Sequence, residues 1–147
     1  MAVNLAKPMA PAESKAVTLR YPQRSLRRGE RAFRCSPFRL KLLGDLRSRS
    51  ISIRQVCGQA GLKSGYSRRA VVELQAENEM MWLIAVGLLR REVDGQGLTD
   101  SFRLTPMGRQ VFEQLSPLRP AQYRPTILNH LYNAWCRWVH LPSWWHG

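Results

Sequence analysis

The sequence predicts a mainly α-helical domain with one small β-hairpin, which is an α+β fold. Apolar residues recur at helical spacing over most of residues 36–116. Two β-rich runs near the end of that segment are joined by a loop rich in Gly and Asp. Apolar residues make up 44% of the 147-residue chain, which is enough for one hydrophobic core.

The predicted domain opens with a helix. Ser36 is placed as its N-cap and Pro37 as its first helical residue. Phe38, Leu42 and Leu46 follow at intervals of four residues, so they form one apolar stripe. This stripe is expected to face the core.

A short strand and two more helices are predicted next. The alternating, β-branched triplet 51–53 indicates a very short strand, and the helix after it is expected to end at Gly61. A long helical pattern then covers 67–86, with a break allowed near 77–79. Gly87 is expected to end this helix.

The last part of the domain is a predicted hairpin and helix. Strands are expected at 88–93 and 101–105, joined by the loop 94–100. The dipeptide 105–106 then begins a helix that ends at Leu115. The resulting order is helix, short strand, helix, turn, helix, hairpin, helix. This is the order of the winged helix-turn-helix.

The wing region also resembles a known family. Gly87-Leu88-Leu89 and the run FRLTPMG at 102–108 are similar to the elements that flank the wing in winged-helix bacterial regulators. The resemblance covers residues 36–116 and implies a DNA-binding fold, although many winged helices serve other roles. The combination of Arg-rich arm, winged helix and Trp-rich tail resembles small uncharacterised cyanobacterial proteins.

Charge points to the class of partner. The chain carries 23 Lys and Arg against 10 Asp and Glu, a formal net charge of +13. Such an imbalance favours a polyanion, nucleic acid first and an anionic membrane surface second. Of the 23 basic residues 19 are Arg, which suits bidentate phosphate binding, although a codon bias towards Arg would give the same composition.

Residues 1–35 are predicted to be a flexible Arg-rich arm, because they show no helical or strand periodicity. A single acid, Glu30, stands among six arginines. These are Arg20, Arg24, Arg27, Arg28, Arg31 and Arg34. Such an arm binds a nucleic-acid backbone, and a solubilising tail or a docking segment for an acidic protein has the same composition.

In this interpretation the helix at 67–86 is the recognition helix. Its first turn is expected to enter a groove, with Ser67, Arg68 and Tyr66 reading bases, because the later acids would repel phosphate. Arg54 and Lys63 are expected to bind phosphates. The full predicted interface is Arg24, Arg27, Arg28, Arg31, Arg54, Lys63, Ser64, Tyr66, Ser67, Arg68, Arg69, Arg90, Arg91 and Arg103. A helix start of this kind also suits a winged helix that contacts protein.

Residues 117–147 are predicted to contain a Trp-rich amphipathic helix. Its partner-facing or membrane-facing side chains are Leu128, Leu131, Tyr132, Trp135, Trp138, Trp144 and Trp145. Three partners suit this face: a second copy in an antiparallel homodimer, the chain's own core, or a membrane interface.

Motifs for other functions are missing from the sequence. No HExxH, P-loop, GxSxG or GxGxxG pattern occurs, so we expect neither an enzyme nor a cofactor. Cys35, Cys57 and Cys136 form no CxxC pair, which argues against a zinc site or a disulfide framework. The N-terminus lacks the apolar run of a signal peptide, so a reduced cytoplasmic location is expected.

The sequence therefore predicts a winged-helix nucleic-acid-binding protein, a small transcriptional regulator that favours duplex DNA. The alternative is a winged-helix docking subunit of a larger complex, associated with a membrane through the Trp-rich tail. RNA or ribosome association is a third interpretation, since an Arg-rich arm does not distinguish RNA from DNA.

Overall fold

The computed structural model describes residues 19–119, 122 and 124–139. Within them the chain is mainly helical with a small antiparallel sheet, so the predicted α+β class is confirmed. The helices are α1 (Gln23–Cys35), α2 (Leu40–Leu46), α3 (Ile53–Val56), α4 (Gly58–Lys63), α5 (Glu73–Ala85), α6 (Pro106–Leu115) and α7 (Ile127–Val139). The strands are β1 (Ile51–Ser52), β2 (Leu89–Asp94) and β3 (Gly97–Leu104).

The sheet has the strand order β1-β3-β2, and every pair is antiparallel. Phe102 on the central strand lies opposite Ile51 on one side and Arg91 on the other. The turn between β2 and β3 is tighter than predicted, because β3 already begins at Gly97, which adopts φ +121°. The Asp94 carboxylate accepts the Gln96 N–H at 2.8 Å and stabilises this turn.

The hydrophobic core lies where α2, α5 and α6 pack against the sheet. Phe38, Leu42, Leu83, Leu88 and Val111 are all fully buried there. Burial of each such side chain contributes roughly 1.5–3 kcal/mol, so these residues account for much of the folding free energy.

The predicted N-terminal arm is partly helical in the structure. A flexible segment was expected up to residue 35, but residues 23–35 form helix α1, which packs against α5, α6 and α7. Its buried stripe is Leu26, Gly29, Ala32 and Phe33. A side chain at Gly29 would lie 2.8 Å from the Leu88 side chain, so the glycine lets α1 approach closely. Two of the four buried residues are Gly or Ala, which makes the stripe weak as a sequence signal.

The start of α2 also differs from the prediction. Ser36 was expected as its N-cap, but the Ser36 hydroxyl donates to the Phe33 carbonyl at 2.6 Å and so closes α1 instead. Phe38 pairs with Ser67 in an isolated antiparallel bridge, which holds the chain extended. The helix therefore begins only at Leu40.

The predicted helix over 67–86 begins six residues late. Val72, directly before α5, is extended at φ −64° and ψ 150°, and Ser67 is held in the bridge with Phe38, so the helix cannot begin at Ser67. The α5 helix then runs from Glu73 to Ala85 without a break and ends before Gly87, as expected, at φ +88°. Helix α4 continues past the predicted end at Gly61 to Lys63.

Thr105 caps α6 as the sequence predicts. Its hydroxyl oxygen accepts the Gly108 N–H at 3.0 Å. The same hydroxyl lies within hydrogen-bond reach of the Gly87 and Leu88 carbonyls, so it ties α6 to the end of α5.

We expect Thr105→Ala to lower the free energy of unfolding by about 1–2 kcal/mol, because it removes the N-cap and leaves a buried carbonyl without its donor. Urea unfolding followed by far-UV circular dichroism measures this loss. Thr105→Ser, which keeps the hydroxyl, is the matched control and should stay within about 0.5 kcal/mol of the parent. Equal losses in the two variants would contradict a capping role for the hydroxyl.

The predicted C-terminal helix is present as α7, which packs against α1. None of its residues is fully buried. Trp144 and Trp145 lie outside the described residues. No helix in the described part of the chain is long and apolar enough to cross a membrane.

Candidate functional site

A backbone bridge places two arginines side by side on the surface. The Arg39 N–H donates to the Tyr66 carbonyl at 2.8 Å, and the Arg68 N–H donates to the Pro37 carbonyl at 2.9 Å. Phe38 and Ser67, the central pair of the bridge, are buried. Arg39 and Arg68 are exposed, whereas Phe38, Tyr66 and Ser67 beside them are buried.

These two residues and Arg124 form what we call the arginine cluster. Partial burial, together with the like charges of Arg39 and Arg124, lowers the pKa of the Arg68 guanidinium. None of the three forms a salt bridge within the described part of the chain. Uncompensated like charges repel, so an anion bound between them would relieve that repulsion.

The arginine cluster borders the C-terminal end of α1. Cys35 is the last residue of that helix. It is close enough to Arg31 and Arg68 for both charges to act on its thiol. Burial raises the pKa of the Cys35 thiol, and the two arginines oppose that change. A cationic group at this position is also favourable to the helix dipole.

Four arginines of α1 form a second basic feature, the arginine row. They occupy positions i, i+3, i+4 and i+7 and therefore share one helix face. The row consists of Arg24, Arg27, Arg28 and Arg31. Arg28 lies 5.6 Å from the Trp82 ring centre and Arg31 lies 4.1 Å from that of Tyr132, so aromatic contacts orient two of the four.

Two of the residues that were predicted to read bases are buried, so the prediction is wrong for these two. Ser67 is 1% exposed, and its hydroxyl donates to the Val56 carbonyl at 2.7 Å. Tyr66 is 2% exposed, and its hydroxyl donates to Asp45 at 2.8 Å and accepts from Arg49. Both side chains are occupied inside the fold, so neither reaches a base. Arg68 alone of the three stays on the surface.

The other predicted residues near the turn are dispersed. Arg54 is exposed on α3 and Lys63 is exposed at the end of α4. Ser64 is partly buried, and its carbonyl accepts the Lys41 ammonium at 3.0 Å. Arg69 is exposed and donates to Gln75 at 3.3 Å. Among the described residues, no hydrogen bond or salt bridge connects these side chains to the arginine cluster.

Strands β2 and β3, predicted as the wing, carry fewer unpaired arginines than expected. Arg91 pairs with Glu77 at 3.4 Å, and Arg103 pairs with Glu92 at 3.5 Å. Arg90 is exposed and forms no salt bridge within the described residues. Only one of the three predicted wing arginines is therefore available to an external anion.

The outer face of α5 is acidic and apolar. Glu73 and Glu77 are exposed, and Leu74 between them is 70% exposed. Glu77 is paired with Arg91, whereas Glu73 forms no salt bridge among the described residues and would repel a phosphate.

Helix α7 packs through its polar residues. The Asn133 side chain accepts the Trp82 indole N–H at 3.0 Å. Arg137 contacts the Glu79 carboxylate at 3.0 Å and the Asn78 carbonyl at 3.1 Å. The predicted apolar side chains face solvent instead. They are Leu128, Leu131, Tyr132, Trp135 and Trp138, together with Ile127 and Val139.

The Tyr66–Asp45 hydrogen bond links stability to pH. It is the main reason that the pKa of Asp45 lies below its ordinary value, with Lys41 and Arg49 adding to the effect. Since the folded-state pKa is depressed, this stabilisation is present above the unfolded pKa of about 3.9 and is lost as the pH falls through the folded pKa.

Tyr66→Phe removes the hydroxyl, so we expect the parent to lose more unfolding free energy than the variant between pH 5 and pH 2. Denaturant unfolding at a series of pH values measures the difference. Tyr132→Phe, at an exposed tyrosine, should follow the parent curve. A parent-to-Tyr66→Phe difference that stays constant with pH would contradict this coupling.

Among the described residues, no three His, Cys, Asp or Glu side chains converge, so that part of the chain offers no candidate metal site.

The arginine cluster and its neighbours define a small arginine-rich α+β protein with an exposed apolar helix face. The chain belongs to the Npun_F0494-like family, whose model matches residues 19–137. This match is consistent with the resemblance to small cyanobacterial proteins. No curated protein and no solved structure matches the chain.

Two residues of the arginine cluster are not predicted from the sequence. Arg39 was assigned to the first helix and Arg124 to the tail, and neither was associated with Arg68. The signal for the arginine row was present in the spacing of its four arginines. Helical periodicity was sought in apolar residues, whereas here the charged residues display it.

Proposed function

We propose that this chain is a winged-helix nucleic-acid-binding protein that favours duplex DNA and contacts its phosphate backbone through the arginine cluster. In this proposal it is a small DNA-binding regulator with weak sequence preference. Arg39, Arg68 and Arg124 are the contacts in this proposal.

The winged-helix interpretation is supported by element order and sheet order. Helix α2, strand β1, helices α3 to α5, the β2–β3 hairpin and helix α6 follow one another as in that fold. The first short strand pairs with the second hairpin strand, which gives the order β1-β3-β2. In this interpretation the hairpin is the wing and α5 is the helix equivalent to a recognition helix.

The arginine cluster is the observation that carries the binding proposal. Three guanidinium groups are exposed, the charges of Arg39 and Arg124 both act on Arg68, and no acid of the described residues pairs with any of the three. A guanidinium group presents a planar fork of donors that matches two phosphate oxygens. A duplex offers phosphates at close, regular intervals, so one DNA segment can contact all three.

Weak sequence preference follows from the same geometry. Contacts to phosphate position a protein on DNA without reading the base sequence. The base-reading positions of this fold are blocked here, since Tyr66 and Ser67 are buried and the exposed face of α5 carries Glu73 and Glu77. The protein would therefore bind many sequences with similar affinity.

Fluorescence anisotropy tests the proposal with duplex DNA, single-stranded DNA and RNA of matched length, each over a series of salt concentrations. We expect nanomolar-to-micromolar binding to duplex DNA that weakens steeply as salt rises. Duplexes of unrelated sequence should bind within about tenfold of one another. No binding to any of the three nucleic acids near physiological salt would contradict the proposal, and stronger binding to RNA would change the preferred partner.

A second candidate function is that of an interaction subunit. The exposed apolar face of α7 favours it, because large exposed apolar patches usually mark a contact surface. This role is compatible with nucleic-acid binding, since the arginine cluster and the apolar face of α7 consist of different residues.

A further inference from the structure

We propose that α7 and the arginine row of α1 together bind an anionic lipid surface. The apolar face of α7 would enter the headgroup region, and the arginines would contact lipid phosphates. This inference is independent of the nucleic-acid proposal, which rests on the arginine cluster.

The apolar face of α7 is large and fully outward. Its seven side chains are at least 52% exposed, and the two tryptophans are 69% and 73% exposed. They are Ile127, Leu128, Leu131, Tyr132, Trp135, Trp138 and Val139. At helical spacing these positions form one continuous face, since they recur at intervals of three and four residues.

The packing of α7 argues against coverage by the chain's own core. On its inward side Cys136 packs against the core, and the polar groups there already have partners, with Asn133 bound to Trp82 and Arg137 bound to Glu79. Turning the apolar face inward would break these contacts and expose the charged Glu79, which is now largely shielded by its partner. The observed orientation thus satisfies the polar residues and leaves the apolar face uncovered by the part of the chain that the structure describes.

The arginine row lies directly beside this face. Arg31 stacks on Tyr132 at 4.1 Å, and a surface groove is lined by Arg31, Leu128, Leu131 and Trp135. A second groove joins Arg24, Arg27 and Arg28 to Tyr132. Cationic and apolar side chains therefore share one surface, as in helices that lie in the plane of a membrane.

The positive charge beside the apolar face of α7 favours an anionic lipid surface over a second copy of the chain as the partner of this face. No Asp or Glu follows Glu113 in the sequence, so the apolar face of α7 carries no negative charge. Within the row's helix, Glu30 is already paired with Arg34 at 2.7 Å. A homodimer through this face would bring two arginine rows together with no acid between them, whereas anionic headgroups would neutralise both.

The aromatic residues fit the same partner. Trp and Tyr are favoured at the membrane–water interface, because the ring is apolar while its N–H or O–H remains hydrated. Tyr132, Trp135 and Trp138 are exposed on the face that also carries leucines. Arginine side chains beside them can reach lipid phosphates while their stems stay on apolar surface.

Vesicle flotation of the full chain tests the inference, with phosphatidylcholine vesicles compared with equimolar phosphatidylcholine and phosphatidylglycerol. We expect at least about tenfold stronger partition into the anionic vesicles, reduced by added salt. The triple variant Leu128→Ser, Leu131→Ser, Trp135→Ser should lose at least about tenfold, because apolar insertion is removed. The double variant Arg24→Gln, Arg27→Gln should lose about 25-fold, roughly fivefold for each charge.

The matched control for the apolar variant is Leu74→Ser, Val93→Ser, Leu98→Ser, which removes exposed apolar side chains outside α7. It should bind vesicles like the parent. Circular dichroism verifies folding of every variant, and all substituted side chains are exposed. The α7 variant should also keep parental affinity for duplex DNA, which separates the two proposals.

Three results would overturn the lipid inference. The first is a parent that does not float with anionic vesicles. The second is equal partition of the α7 variant and its control. The third is a parent that is dimeric by light scattering and becomes monomeric in the α7 variant without binding vesicles, which would assign the face to a second copy. Loss of DNA binding in the α7 variant, with no vesicle binding by the parent, would instead assign the face to nucleic acid.

Discussion

The triple variant Arg39→Gln, Arg68→Gln, Arg124→Gln is expected to bind duplex DNA about 100-fold more weakly than the parent at moderate salt. Each substitution removes one guanidinium–phosphate contact and preserves much of the side-chain length. The loss should be similar for unrelated DNA sequences, because phosphate contacts carry no sequence information. Fluorescence anisotropy with two unrelated duplexes measures both effects.

The matched control removes the same charge from another part of the surface. Arg20, Arg47 and Arg109 lie around α6: Arg20 shares a groove with Gln110, and Arg47 lies over Phe112. Their triple Gln variant should lose less than about tenfold, through the weakened long-range field alone. Equal losses in the two triple variants would mean that net charge, and not the arginine cluster, determines binding.

Gly61→Ala is expected to have the largest effect on folding, lowering the free energy of unfolding by about 3 kcal/mol. A methyl group at this position would overlap the Val56 carbonyl oxygen and lie 2.6 Å from the Ser67 hydroxyl oxygen. Those two groups are hydrogen-bonded to each other, so the substitution also disturbs the bond that fixes the chain before α5. Thermal unfolding should show a decrease in Tm of roughly 10 °C.

Gly95→Ala is the control for this prediction, because a methyl group there would meet no atom within 4 Å. Its unfolding free energy should stay within about 1 kcal/mol of the parent. If Gly61→Ala were as stable as Gly95→Ala, the close approach of α3 and α4 would not constrain the fold. The close approach at Gly61 allows the Ser67 hydroxyl to bond the Val56 carbonyl. At temperatures where the Gly61 variant is partly unfolded, it should therefore also bind DNA more weakly.

The parts of the fold that the sequence predicts well are those with local causes. Thr105 is the N-cap and Pro106 is the first-turn proline, and α6 begins at Pro106 as predicted. The hairpin follows from alternating residues on either side of a Gly-containing turn. Gly87 ends α5 because it takes a positive φ that other residues rarely adopt.

The errors have long-range causes. Ser36 and Ser67 look like N-caps, yet one closes the preceding helix and the other bonds Val56 across the fold. The pairing of Phe38 with Ser67 joins residues 29 positions apart, so no local window of sequence contains it. That pairing delays the starts of both α2 and α5, and it places Arg39 beside Arg68.

The candidate site was predicted only in part for the same reason. Arg68 is predicted as part of a recognition helix, whereas it lies before α5, directly after the bridge of Phe38 with Ser67. The four residues of the arginine row are predicted to lie in a flexible arm, whereas they lie on α1, which packs on the core. The outward face of α7 follows from hydrogen bonds of Asn133 and Arg137 with α5, which amphipathicity alone does not predict.

The salt dependence of duplex binding tests the central claim most directly, because its slope counts the phosphates that the protein neutralises. The logarithm of the association constant is measured against the logarithm of the salt concentration for the parent and for the Arg39, Arg68, Arg124 variant. We predict that the slope of the variant is smaller in magnitude by about 3, one for each lost phosphate contact. An unchanged slope, or a parent that does not bind duplex DNA, would contradict phosphate contact by the arginine cluster.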